Sequence, residues 1–222
     1  MKTAIVTGAS RGVGRATVKL LSKNGYRVIA VSRDLERMRD LISENVEIYQ
    51  LDITNSSEIK SFFEKYKDIT LDILVNNAGG GASPAHIINE TPENFRTAYD
   101  INVTGPMYIS QLFVPCLQKS TSPTIVFVTS IGGNVPYQGG GNYTNAKRGE
   151  IGLIETMRLE FPLYGIKITE VCPGTIDTQE EEKDNALSAE DLAQSILWIS
   201  SLPSHFNVNS LNISHINNSV FR

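Results

Sequence analysis

The sequence predicts an α/β fold: a doubly wound, mainly parallel sheet with helices on both faces, spanning residues 1–222 as a single domain. Three observations predict it. Short β-branched runs alternate with longer segments of helical period along the chain. Runs such as Ile125-Val126-Phe127-Val128 are apolar at every position, as strands are when both faces of a sheet are covered. A glycine-rich turn, Gly8 to Gly14, joins the first run to the first helical segment.

The elements follow in order. Thr3 to Thr7 is the first strand, and Arg15 to Asn24 is a helix stopped at Gly25, a residue free to adopt the left-handed conformation of a helix end. Arg27 to Ser32 and Glu47 to Leu51 are the next strands. Asn55-Ser56-Ser57-Glu58 reads as a helix start, with Asn55 as cap and Glu58 completing a capping box. Ile73 to Asn76, Thr124 to Thr129 and Lys167 to Cys172 supply three more strands, and a further helix begins near Ser188. Glu180-Glu181-Glu182, before that helix, reads as a solvated loop, and Asn207 to Ile213 alternates like a last strand.

Composition narrows the function classes. A chain of 222 residues, 41% hydrophobic and 20% charged, can bury roughly 70% of the surface its unfolded form exposes, so the fold needs no disulfide or metal staple. Cys116 and Cys172 sit in apolar segments without a CxxC or histidine partner, which predicts a reduced, cytoplasmic protein and no metal site. The net charge of -4 and scattered basic residues argue against nucleic acid as a partner. No stretch reaches the ~18 to 20 apolar residues of a membrane span, and the apolar run at the start is too short for a signal peptide.

The first strand runs into Gly8-Ala9-Ser10-Arg11-Gly12-Val13-Gly14, where glycines let backbone N–H groups approach a pyrophosphate at a helix N-terminus. The spacing is GxxxGxG, and its position between strand and helix predicts a dinucleotide site in a Rossmann-type fold over a bare tight turn. In such folds a carboxylate at the end of the second strand selects NAD, and an arginine there accommodates the extra phosphate of NADP. Here the strand ends Val31-Ser32-Arg33-Asp34. Ser32 stands where the carboxylate is expected, and Arg33 and Arg11 offer planar forks for a phosphate, so NADP(H) is favoured. Asp34 is the opposing feature: facing the ribose, it would repel that phosphate and leave NAD(H) as the cofactor.

Among eight tyrosines only Tyr143 has a lysine four residues on, Lys147, which places both on one helix face. An ammonium ~4 Å from a phenolate, at an effective dielectric of ~20, favours the charged oxygen by about 4 kcal/mol, so Tyr143 becomes a candidate proton donor near neutral pH. In an arbitrary protein the pair would be a packed tyrosine beside a snorkelling lysine. Here it follows a buried strand ending Val128-Thr129-Ser130, so the Ser130 hydroxyl can reach the top of the sheet beside Tyr143.

Together, Thr7-Gly8-x-x-x-Gly12-x-Gly14, Asn76-Asn77-Ala78-Gly79, Asn102, Ser130, Tyr143-x-x-x-Lys147 and Pro173-Gly174 resemble, in order and spacing, the short-chain dehydrogenases/reductases over about the first 178 residues. The resemblance implies an oxidoreductase in which Tyr143 exchanges the proton, Lys147 assists it and binds the nicotinamide ribose, Ser130 holds the substrate carbonyl and Asn102 holds a relay water. It implies that Asp52 and Ile53 border the adenine, that Asn77, Ala78 and Gly79 pass the adenosine ribose, and that Pro173, Gly174, Ile176 and Thr178 meet the carboxamide. Asn102 could equally kink a helix, Asp52 start one, and Pro173-Gly174 make a turn. The implied substrate is a small carbonyl or alcohol of 3-oxoacyl or 3-hydroxy acid type. Implied as well are a homodimer or homotetramer, through helices around Arg96 to Leu117 and Asn145 to Phe161, and a lid near residues 179–188, here short and rich in glutamate. The alternatives are an NAD-linked alcohol dehydrogenase and an idle nucleotide-binding sensor or scaffold; an epimerase is disfavoured because 222 residues leave no room for a larger substrate domain.

Overall fold

The computed structural model describes residues 1–81, 85–177 and 185–217. Seven strands form one sheet in the order β3-β2-β1-β4-β5-β6-β7: β1 (Thr3–Thr7), β2 (Arg27–Ser32), β3 (Val46–Gln50), β4 (Ile73–Asn76), β5 (Thr124–Val128), β6 (Lys167–Pro173) and β7 (Ser210–Ile213). Every pairing is parallel. The helices are α1 (Gly12–Lys23), α2 (Ser56–Tyr66), α3 (Pro92–Tyr99), α4 (Gly105–Leu112), α5 (Val114–Leu117), α6 (Gly141–Glu160) and α7 (Ala189–Ser201).

Strand alternation sends side chains into two separate cores. Ala4, Val6, Val28 and Ala30 face Val18 and Leu21 of α1 and Leu192, Ile196 and Ile199 of α7. Ile5, Ile29 and Val31 face Ile59 and Phe62 of α2, Ile109 of α4 and Ile154 and Met157 of α6. Both faces of β1, β4 and β5 are buried, which is why those strands read as unbroken apolar runs.

Helix starts follow their caps. Asn55 accepts from the N–H groups of Ser57 and Glu58, but the expected capping box is not completed: Glu58 reaches the Asn55 side-chain amide and the Asp52 N–H, while the Asn55 backbone N–H donates to the Asp52 carbonyl. Ser188 and Asp191 make a full box at the start of α7. The third strand is shifted by one residue from the predicted Glu47 to Leu51, because Val46 already pairs with Val28, and only the end of the predicted Asn207 to Ile213 run joins the sheet. The helical stretch around Arg96 to Leu117 is broken by one π-helical turn, Asp100–Thr104, and by a bend at Phe113. On the helices implied to pair two subunits, Tyr99 and Leu159 remain exposed. No helix of the described residues is long and apolar enough to cross a membrane.

Candidate active site

A cleft of about 460 Å³ lies over the carboxyl ends of the strands, where the strand order reverses between β1 and β4. One wall is the turn from β1 to α1. Gly8 and Gly12 have φ of +68° and +51°, left-handed values that a side chain would strain. Thr7 ties this turn to the end of β4: its Oγ1 accepts from the N–H groups of Asn77 and Ala78, each at 3.0 Å, and the Asn77 amide donates back to the carbonyls of Thr7 and Gly8.

Gly14 sits behind the cleft and does not border it. A Cβ there would stand 2.4 Å from the Gly8 carbonyl oxygen and from Asn77 Nδ2, so its role is close helix–strand packing. Gly14→Ala is expected to destabilise the protein by about 1–3 kcal/mol, since the opposing backbone cannot give way. A thermal melt should show a midpoint lower by about 5 °C. An unchanged midpoint would contradict this packing role.

α1 starts with no side-chain cap and no acidic residue in its first turn. Its leading N–H groups, at Gly12 and Val13 beside the cleft, therefore present the positive end of a helix dipole to an anion. Ser10, Arg11 and Arg33 border the same end, together with Asp52 and Ile53. Asp52 keeps its local role as well: its Oδ1 accepts from the Thr54 N–H and hydroxyl, turning the chain toward α2.

The end of the second strand differs from the sequence expectation in one respect. Ser32 does not border the cleft; its hydroxyl accepts the Asp34 N–H at 3.3 Å, and Arg33 is the residue that reaches the cleft. Asp34 is turned away. Its carboxylate accepts the Arg37 N–H and lies 3.2 Å from Arg37 Nε, which neutralises the one group at this position that would oppose a phosphate.

Near the other end of the cleft, though not itself bordering it, Ser130 starts a short turn in which its Oγ accepts the Gly132 N–H at 3.1 Å. Tyr143, in the first turn of α6, lines the cleft. A Cβ on Gly132 would stand 3.1 Å from Tyr143 Cε1 and 3.4 Å from Ser130 Oγ, so the two side chains converge on that glycine. Lys147 is buried; its Nζ donates to the Val128 carbonyl at 3.2 Å and to Glu150 Oε2 at 2.7 Å. Gly79 leaves the ammonium open to the cleft, since a Cβ there would stand 3.1 Å from Nζ.

Asn102 is fully buried within the π-helical turn and does not border the cleft. Its amide nitrogen donates to the carbonyls of Gly80 and Ala98, and its Oδ1 accepts the Gly80 N–H, so it holds the Gly79–Gly80 segment in place. Asn102 thus sits at the break in this helical stretch. Pro173 ends β6 and Gly174 donates to the Ile213 carbonyl; neither borders the cleft, whereas Ile176 does. Ile176 is held by backbone bonds between Leu187 and residues Thr175 and Asp177. Thr178, and residues 179–184 of the expected lid, lie outside the described residues.

Glu150 is the component that the sequence reading passes over. Its carboxylate is buried beneath Lys147, and burial pushes it up to about 7, with Lys147 opposing and Glu170 reinforcing that rise. Burial pulls the Lys147 ammonium down, but Glu150 and Tyr143 outweigh it and the net direction is up. A glutamate three residues after a lysine is ordinarily an exposed helix pair. Only the burial of this face of α6 against β5 and β6 makes it internal.

Comparison with known proteins agrees with this geometry. The family model described as short chain dehydrogenase matches residues 2–188. A serine 3-dehydrogenase of Agrobacterium fabrum (strain C58) is 30% identical, over 98% of this chain and 95% of its own. An NADP-dependent 3-hydroxy acid dehydrogenase of Escherichia coli (strain K12) is 29% identical, over 97% and 95%. Among solved structures, the closed form of a serine dehydrogenase complexed with NADP+ superposes with a TM-score of 0.89 at 25% identity, covering 99% of this chain and 97% of that one.

Proposed function

Because the chain belongs to the short chain dehydrogenase family and is an oxidoreductase of alcohol and carbonyl groups, we propose that it interconverts a carbonyl and a secondary alcohol on a small 3-oxoacyl or 3-hydroxy acid type substrate. The cofactor in this reading is NADP(H), and Tyr143 is the proton donor. The observation that carries it is a single cleft with Arg11 and Arg33 at one end and Tyr143, beside Ser130 and Lys147, at the other, while Asp34 is turned out of it.

The residues present fit a dinucleotide phosphate. The uncapped start of α1 and the turn from Gly8 to Gly12 would take the pyrophosphate, and Arg11 with Arg33 the additional phosphate. Asp52, Ile53, Ala78 and Gly79, which line the cleft, would border the adenosine portion, and Lys147 and Ile176 the nicotinamide portion. When bound, the reduced nicotinamide supplies the hydride.

The chain's own residues supply alignment and the proton. Ser130 and Tyr143 hydroxyls hold the substrate oxygen, stabilising the negative charge that grows on it. Tyr143 passes its proton to that oxygen during reduction and takes it back during oxidation. The Lys147 ammonium stabilises the charge left on the Tyr143 oxygen, and Asn102 keeps the Gly79–Gly80 wall at its distance from Lys147. Two free, buried cysteines fit a reducing, cytoplasmic setting. The test is NADPH consumption with a panel of 3-oxo acids and esters: turnover on members of the panel is expected, and NADPH binding without turnover on any would favour the idle scaffold.

A further inference from the structure

The ion pair behind the proton donor is set deep in the fold. Lys147 and Glu150 side chains are 4% and 1% exposed, and Nζ meets Oε2 at 2.7 Å. Among the described residues, the other hydrogen-bond acceptor of Lys147 is the neutral Val128 carbonyl of β5. A buried ammonium without a counter-charge loses its proton readily, because desolvation penalises only the charged form. Glu150 is that counter-charge.

The surroundings leave this task to Glu150. From β6, two acidic groups face the pair: Glu170, which acts on Glu150, and Cys172, which acts on Lys147. Glu170 is already committed, accepting from the Thr129 and Ser210 hydroxyls at 2.9 Å each and lying 3.7 Å from Arg158 of α6. Burial holds the Cys172 thiol up, in its neutral form. Tyr143 shares the helix face with Lys147, and the segments carrying Gly79 and Asn102 bring only neutral groups to Nζ.

We propose that Glu150 is a positioning residue of this active site: its carboxylate anchors the Lys147 ammonium between Val128 and the cleft and keeps it charged through the alkaline range. The proposal rests on the reading of the cleft as an NADP(H) site in which Lys147 touches the nicotinamide ribose. Glu150 itself touches neither cofactor nor substrate.

NADPH affinity, measured by fluorescence titration from about pH 8, where Glu150 is charged, to about pH 9.5, tests it without any need for turnover. The wild type is expected to hold its affinity across this range. Glu150→Gln keeps a hydrogen-bond acceptor but removes the charge, so Lys147 should lose its proton within the range and affinity should fall about tenfold toward the alkaline end, the weight of one charge-assisted hydrogen bond. Glu150→Asp, which keeps the charge, should restore the flat profile. A Glu150→Gln profile parallel to wild type at every pH overturns the proposal, because a merely structural role lowers affinity uniformly or not at all. Glu150→Ser, with room for a water beside Nζ, repeats the test in a second background, and failure of both variants to fold assigns Glu150 to architecture and overturns the proposal too. A wild-type protein that binds no NADPH instead overturns the reading of the cleft, and the proposal with it.

Discussion

Tyr143→Phe is expected to lower carbonyl turnover about a hundred- to ten-thousand-fold while leaving NADPH affinity within about twofold. The substitution removes one hydroxyl and little else. Tyr143 packs through its ring against Gly81 and Gly132, contacts that phenylalanine preserves. What is lost is the proton that must reach the substrate oxygen as charge develops there. Ser130 cannot replace it, since its hydroxyl lacks a neighbouring ammonium of the kind that Lys147 gives Tyr143 to stabilise the oxygen left charged. The check is steady-state turnover beside a fluorescence titration of NADPH on the same preparation. Unchanged turnover would remove Tyr143 from the reaction, and a parallel collapse of NADPH affinity would make its role one of binding.

Arg33→Ala is expected to weaken NADPH about ten- to a hundredfold and to leave NADH nearly unchanged, the loss of one or two hydrogen bonds between a guanidinium and a phosphate. The selectivity follows from what surrounds the residue. Arg33 borders the cleft, and Arg11 borders it from the turn opposite, while Asp34 is held away by Arg37. Arg11 remains in the variant, so affinity should fall without vanishing. Calorimetric titration of both nucleotides against both proteins measures the effect. Equal losses for NADPH and NADH would mean that Arg33 contacts something other than the additional phosphate.

Much of this arrangement is legible in the sequence, and the limits are physical. β1, β2 and β4 have the predicted bounds because buried parallel strands announce themselves as apolar runs, and Asn55 and Ser188 mark helix starts because their side chains satisfy N–H groups only a few residues away. Such signals are local. The direction of Asp34 is not, since it depends on a short 3₁₀ turn, Glu36–Leu41, that brings Arg37 within reach of its carboxylate. Without that turn, Ser32 and Asp34 compete for the same role on paper.

Asn102 and Glu150 show the same limit more sharply. The π-helical turn that swings Asn102 toward Gly80 has no composition of its own in Asp100-Ile101-Asn102-Val103-Thr104, so its position could be taken only from resemblance. Lys147-Arg148-Gly149-Glu150 reads as an exposed polar stretch, yet two of its charges are internal because β5 and β6 cover that face of α6. A motif names Tyr143 and Lys147 from the sequence; it does not name the carboxylate beneath Lys147, because the meaning of Glu150 comes from burial.

The most direct test of the account supplies NADPH deuterated at carbon 4 of its nicotinamide to the purified protein, with 3-oxo acids and esters, and follows the label by mass spectrometry. The account predicts deuterium on the new carbinol carbon of at least one product with the wild type, and none above background with Tyr143→Phe. NADPH bound tightly in the cleft with no label passed to any carbonyl, or label passed equally well by Tyr143→Phe, would contradict it.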